Sequence, residues 1–153
     1  METNKSGIII LMADDDDDDY LLTQKALGES KLLNELHRVR DGEELLAYLR
    51  HEGPYKESAP ERPGVILLDL NMPRMDGREA LREIKSDATI RDIPIVVFTT
   101  SKAEEDVYRS YKLGVNSFIT KPVTFDNLIQ VMKTLGKYWF EIVELPLSPH
   151  ERN

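Results

Sequence analysis

The chain has 153 residues, 41% hydrophobic and 31% charged, which suits one soluble globular domain with its own core. A formal net charge of -8 excludes non-specific nucleic-acid binding, because that needs a positive field to displace counterions from phosphates. Cysteine is absent, which excludes disulfides, thiol catalysis and cysteine zinc sites and suits a reducing, cytoplasmic location; the three His lie at no ligand spacing from one another.

Met1 to Gly7 is short and polar and lacks the apolar core of a signal peptide. No apolar run approaches a membrane-spanning length, so no membrane partner is expected. Gly7 to Ala13 reads as a first strand, ending on Asp14-Asp15 and continuing as a run of Asp to Asp19. Acids are favourable at a helix N-terminus, so Asp17, Asp18 and Asp19 read as a solvated cap of the helix that carries Leu21, Leu22, Ala26 and Leu27. A calcium loop counted from Asp14 would need Gly and Glu where Asp19 and Lys25 stand, so that reading fails.

Leu36 to Val39 is a weak second strand, followed by the Asp41-Gly42 cap and a helix with Leu45, Leu46 and Leu49 on one face. Residues 51–63 are rich in Pro, Gly and charge and read as a surface loop. Val65 to Leu68 is an unbroken apolar run, as expected of a strand covered on both faces, and it ends abruptly on Asp69. Gly77 opens a helix with Ala80, Leu81 and Ile84 inward. Ile93 to Phe98 is a fourth strand ending on Thr99, followed by a helix from about Ala103 to Leu113 with Gly114 as its cap. Ser117 to Thr120 is the fifth strand, ending on Lys121-Pro122, and a long helix starts near Phe125 with Leu128, Met132, Leu135, Trp139 and Ile142 inward.

Five alternations of strand and helix predict right-handed crossovers and an α/β, flavodoxin-like, doubly wound five-stranded parallel sheet of order 2-1-3-4-5 with five helices. One domain over 1–153 is expected, its core at about 7–143 and a tail at 144–153. In that strand order Asp14, Asp15 and Asp69 share a pocket at the topological switch point. Clustered carboxylates raise one another's pKa, and a hard divalent cation such as Mg²⁺ relieves the conflict. Asp69 is then free to attack phosphorus and form an aspartyl phosphate, with Thr99 and Lys121 placed to bind the remaining phosphoryl oxygens. Taken singly, Lys121 is a surface Lys before a turn proline and Thr99 a strand-end hydroxyl; their convergence carries the reading.

These residues together resemble the receiver domains of two-component response regulators: the acidic pair Asp14-Asp15, Asp69 with Leu70-Asn71-Met72-Pro73 and Asp76-Gly77, then Thr99 and Lys121-Pro122. The resemblance implies that Asp69 is phosphorylated, and that Asp15, Asp69 and the Asn71 backbone carbonyl bind Mg²⁺ while Asp14 acts through water. It gives Thr99 and Lys121 the phosphoryl group, Phe118 the aromatic switch position, and the Lys121-Pro122 bond a cis geometry. It also implies a chain that is not an enzyme in the ordinary sense but a phosphoacceptor for a sensor histidine kinase. Thr99-Thr100-Ser101, the stretch from Arg109 to Asn116 and Tyr138-Trp139-Phe140-Glu141 narrow the resemblance to single-domain regulators of phytochrome-type kinases, although Asp17 stands where that subgroup often has proline. Phe125, Ile129, Tyr138 and Phe140 on the last helix, with Tyr108 and Tyr111, predict a homodimer through helix 4, strand 5 and helix 5.

Two other classes compete. A haloacid dehalogenase-type phosphohydrolase also uses an aspartyl phosphate, but needs an acid two residues after its nucleophile, where Asn71 stands. A flavin carrier needs a phosphate-binding loop after the first strand, where the Asp run would repel phosphate.

Overall fold

Successive side chains of a strand point to opposite faces, so an unbroken apolar run is stable only when both faces are covered. The computed structural model, which describes residues 8–137, shows this arrangement. Strands β1 (Ile10–Ala13), β2 (Leu36–Val39), β3 (Val65–Leu68), β4 (Ile95–Thr99) and β5 (Ser117–Thr120) form one sheet in the order β2-β1-β3-β4-β5, and every pairing is parallel. The helices are α1 (Asp17–Glu29), α2 (Gly42–Arg50), α3 (Tyr55–Ser58), α4 (Gly77–Lys85), α5 (Glu104–Leu113) and α6 (Phe125–Leu135). Five of them are the expected helices: α1, α2, α4 and α5 cross between strands, and α6 follows β5. The extra one, α3, is a single turn inside the 51–63 loop, pinned where the Tyr55 hydroxyl donates to Glu44 Oε2 at 2.7 Å. Helices 4 and 5 as counted from the sequence are therefore α5 and α6.

Leu11, Ala13, Ile66, Leu68, Ile95 and Val97 face one core with side chains of α2 and α4. Their neighbours Ile10, Met12, Val65, Leu67, Val96 and Phe98 face the other, with Ala26 and Leu27 of α1 and Leu128, Met132 and Leu135 of α6. Trp139 and Ile142, assigned to the last helix from spacing, lie outside the described residues, as do Tyr138, Phe140 and the expected tail at 144–153.

The ladders continue one residue beyond the strands. Asp14 N donates to Val39 O, Asp69 N to Ala13 O and Lys121 N to Thr99 O, at 3.0, 3.0 and 2.7 Å. These bonds bring the polar residues after β1, β3 and β5 to one edge of the sheet. The loop after Asp69 is clamped from two sides. Gly77 N donates to Leu70 O at 3.0 Å, and Gly42 N donates to Met75 O at 2.7 Å. Arg74 holds a left-handed backbone (φ 61°), unusual without glycine, while its Nε donates to buried Asp41 Oδ2 at 2.6 Å.

A methyl group on Gly77 would overlap the Asp69 carbonyl oxygen and come within 2.8 Å of Leu70 Cα, whereas one on Gly28 would meet nothing within 4 Å. Gly77→Ala should therefore lower stability in urea by about 1–3 kcal/mol. Gly28→Ala, in α1, should raise it by about 0.5–1 kcal/mol. Shifts of the same sign in the two variants would contradict this account of the loop.

Candidate functional site

Asp69 is only 6% exposed, so each of its oxygens needs a partner within the protein. Oδ1 accepts from the Thr99 hydroxyl at 2.7 Å and from Asn71 N at 3.1 Å. Oδ2 faces the Lys121 ammonium at 3.3 Å. That ammonium donates more closely to Asp14 Oδ2 and Asp19 Oδ2, both at 2.6 Å. Asp14, 1% exposed, also accepts from Asp16 N at 2.9 Å through its second oxygen. Asp15 is exposed on the same rim, and one oxygen from each of Asp14, Asp15 and Asp69 lies within 4.8 Å of the others. The structure thus brings together Asp14, Asp15, Asp69, Thr99 and Lys121, as the strand-end reading predicts.

Three expectations need amendment. The Lys121-Pro122 bond is not cis: no cis peptide bond occurs among the described residues. The β4–β5 ladder already carries Lys121 to the edge, and its four-carbon stem spans the remaining distance. Asp19 is not merely a solvated cap. Asp16 caps α1 through Asp18 N and Asp19 N, and this start places the Asp19 carboxylate on Lys121. Asp17, although exposed, pairs with Arg38 at 2.6 Å and Arg40 at 3.1 Å, leaving Asp18 nearest to the expected solvated acid.

Phe118 is partly buried in β5 beside the α2–α4 core, and its backbone N donates to the Tyr111 hydroxyl at 3.1 Å. The Asn71 side chain reaches Thr99 Oγ1 at 3.5 Å. Sequence reasoning missed Arg78 and Asp106, whose pairing beside Asn71 links residues of two helices and carries no local motif.

Electrostatics match this geometry. Burial pushes the Asp14 carboxyl up to about 6, against the hydrogen bond and positive charge of Lys121 that pull it down. Burial works against the Lys121 ammonium as well, but its bonds to Asp14 and Asp19 outweigh that and hold it above the ordinary lysine range. Oxygen-only ligands drawn from carboxylates fit a hard divalent cation, and among the described residues this is the acidic cluster with that geometry.

A carboxyl whose pKa rises on folding opposes folding once it ionises, so Asp14 should cost stability progressively as pH rises from about 4 through 6. In metal-free buffer Asp14→Asn should be the more stable protein at pH 8, by up to about 3 kcal/mol, with the advantage gone below about pH 4. A variant less stable than wild type at pH 8 would contradict this assignment.

Comparison with known proteins agrees with this geometry. Residues 10–133 match the response regulator receiver domain. Response regulator Rcp1 of Synechocystis sp. is 42% identical over 127 residues, covering 83% of this chain and 85% of that protein. The crystal structure of the phosphorylated cyanobacterial phytochrome response regulator RcpA aligns with a TM-score of 0.84 at 44% identity, covering 93% of this chain and 100% of the other. The Mn²⁺-bound form of Rcp1 aligns with a TM-score of 0.83 at 42% identity, covering 92% and 99%. The strand order, the acidic edge and these matches lead to one assignment: the chain belongs to the response regulator receiver domain family.

Proposed function

We propose that Asp69 is the phosphoacceptor of this receiver domain and that it takes its phosphoryl group from a sensor histidine kinase, in a Mg²⁺-dependent transfer. The observation that carries the reading is the suspension of the Asp69 carboxylate between the Thr99 hydroxyl and the Lys121 ammonium on the acidic rim. Oδ1 is committed to Thr99 and Asn71, whereas Oδ2 has the longer contact and is the freer oxygen for attack. The bond from Asp69 to phosphorus forms as the bond to the phosphohistidine nitrogen breaks, and that nitrogen leaves with the electron pair. When bound, Mg²⁺ supplies positive charge against the phosphoryl oxygens; Asp15, Asp69 and the Asn71 carbonyl would hold it, with Asp14 acting through water. Lys121 and Thr99 then hold phosphoryl oxygens, and the Thr99 hydroxyl exchanges its Asp69 partner for one of them. Attack by water on phosphorus breaks its bond to the Asp69 oxygen, releases inorganic phosphate and returns the carboxylate, and in this reading the chain resets its own signal in this way.

The similarity to the cyanobacterial phytochrome response regulator RcpA supports a phytochrome-type sensor kinase as the partner. A surface built from α5, β5 and α6 transmits the signal and forms a homodimer in this reading. Tyr108 and Tyr111 are 65% and 50% exposed there, and the Tyr111–Phe118 bond ties this surface to the switch strand. Phe125 and Ile129 contribute less than spacing suggested, because both rest partly against the α1–α6 core. A wild-type protein that sediments as a monomer at tens of micromolar, with or without phosphodonor, would remove the dimer from the proposal.

With acetyl phosphate and Mg²⁺, wild type should incorporate acid-stable, hydroxylamine-labile phosphate, and Asp69→Asn should incorporate none. Asp15→Asn should lose at least about tenfold in rate, and Asp18→Asn, exposed and one turn away, less than about twofold. Equal losses at Asp15 and Asp18 would mean a diffuse cation trap in place of a defined site.

A further inference from the structure

The Arg78 side chain leaves the first turn of α4 as a fork aimed at α5. Its Nε and one terminal nitrogen donate in parallel to the two Asp106 oxygens, at 2.8 and 2.7 Å. The other terminal nitrogen donates to the Leu70 carbonyl at 3.2 Å, and Asn71 Oδ1 lies 3.4 Å from each terminal nitrogen. Asp106 Oδ2 also accepts from the Ser101 hydroxyl at 2.6 Å. Leu70 and Asn71 directly follow Asp69, and Ser101 stands two residues after Thr99. One guanidinium therefore joins the loops behind two groups of the phosphoacceptor site to the first turn of a helix.

Burial does little to hold that turn. Ser110 is the sole buried residue of α5, where α2 and α4 each bury four residues and α6 three. Ala103, at the α5 N-cap, makes no side-chain capping bond. What holds the first turn is thus largely the bidentate pair, a geometry that arginine supplies and lysine does not. The Asp106 carboxyl is held down to about 2 by its bonds from Arg78, against burial, with further help from Ser101, so it stays charged at working pH.

We propose that Arg78 is a positioning residue that fastens the first turn of α5 to the loop behind Asp69, so that the state of the site is passed to α5 through the Arg78–Asp106–Ser101 clamp. This rests on Asp69 as phosphoacceptor. Arg78 meets Asn71 at its side-chain oxygen and has no bond to Asp14, Asp15, Asp69, Thr99 or Lys121, so its loss should leave phosphate uptake largely intact and remove the response of α5.

Amide hydrogen exchange of residues 104–108, with and without acetyl phosphate and Mg²⁺, tests this in wild type, Arg78→Lys, Arg78→Gln, Asp106→Asn and the Arg78→Gln, Asp106→Asn double variant. Phosphate incorporation is measured in parallel. Wild type should change its exchange rate by at least about threefold on phosphorylation, and each single variant should lose most of that response while its uptake stays within about twofold. Arg78→Lys should behave as Arg78→Gln does, because charge without the fork is not enough, and the double variant should lose no more than either single one. Single variants that respond as wild type does, or a phosphorylated wild type whose α5 amides do not change, would overturn the clamp. If wild type takes up no phosphate, the phosphoacceptor reading fails by itself. The clamp is then judged on resting exchange, which should be about fivefold faster in each single variant and no faster in the double; unchanged resting exchange overturns it. Should Arg78→Gln fail to fold by circular dichroism, Asp106→Asn and Ser101→Ala decide by the same criteria.

Discussion

The ammonium of Lys121 is the constraint on which the rest of the site depends. Parallel strands deliver their polar ends to a single edge, and here that edge receives acids from β1, β3 and the start of α1. Burying the Asp14 and Asp69 carboxylates together would be costly without a compensating charge, because desolvation and mutual repulsion both oppose ionisation. Lys121 reaches Asp14, Asp19 and Asp69 at once, and the raised carboxyl of Asp14 shows that this compensation is incomplete. A rim with negative charge left over suits a divalent cation, which when bound would offset the negative charge of an incoming phosphoryl group.

The site is held by backbone as much as by charge. Gly77 lies against the Asp69 carbonyl, Gly42 against Met75, and the Asp41–Arg74 pair secures a left-handed residue between them. Small residues allow these close approaches, and the two ends of the loop after Asp69 are thereby tied to α2 and α4. On the far side, α5 contributes little buried area and depends on polar links. An element with few buried contacts is the one most easily displaced, which suits α5 to respond to the site.

Much of this was legible in the sequence because it follows from period and position. The apolar runs before Asp14, Asp69 and Thr99 mark strands covered on both faces, the half-buried strand before Lys121 forms the edge, and the order of connections then places those four residues together. The family resemblance added roles to these positions and brought in Asn71 and Phe118 beside them. What sequence reading missed is long-range and polar. Nothing near Arg78 announces Asp106, 28 residues on, and nothing in a uniform Asp run tells that Asp16 caps the helix while Asp19 turns to Lys121. The expected cis bond at Pro122 is absent, and the long-range ladder bond from Lys121 N to Thr99 O, which no local signal encodes, brings Lys121 to the edge without it.

The central claim is that one carboxylate, Asp69, receives the phosphoryl group. Borohydride reduces an acyl phosphate to an alcohol, so trapping the phosphorylated protein and sequencing its peptides by mass spectrometry identifies the acceptor directly. The account predicts a single residue converted to homoserine, at position 69, with Asp14, Asp15 and Asp19 recovered as aspartate. Homoserine at any of those three positions, or at none in a protein that carries phosphate, would contradict it.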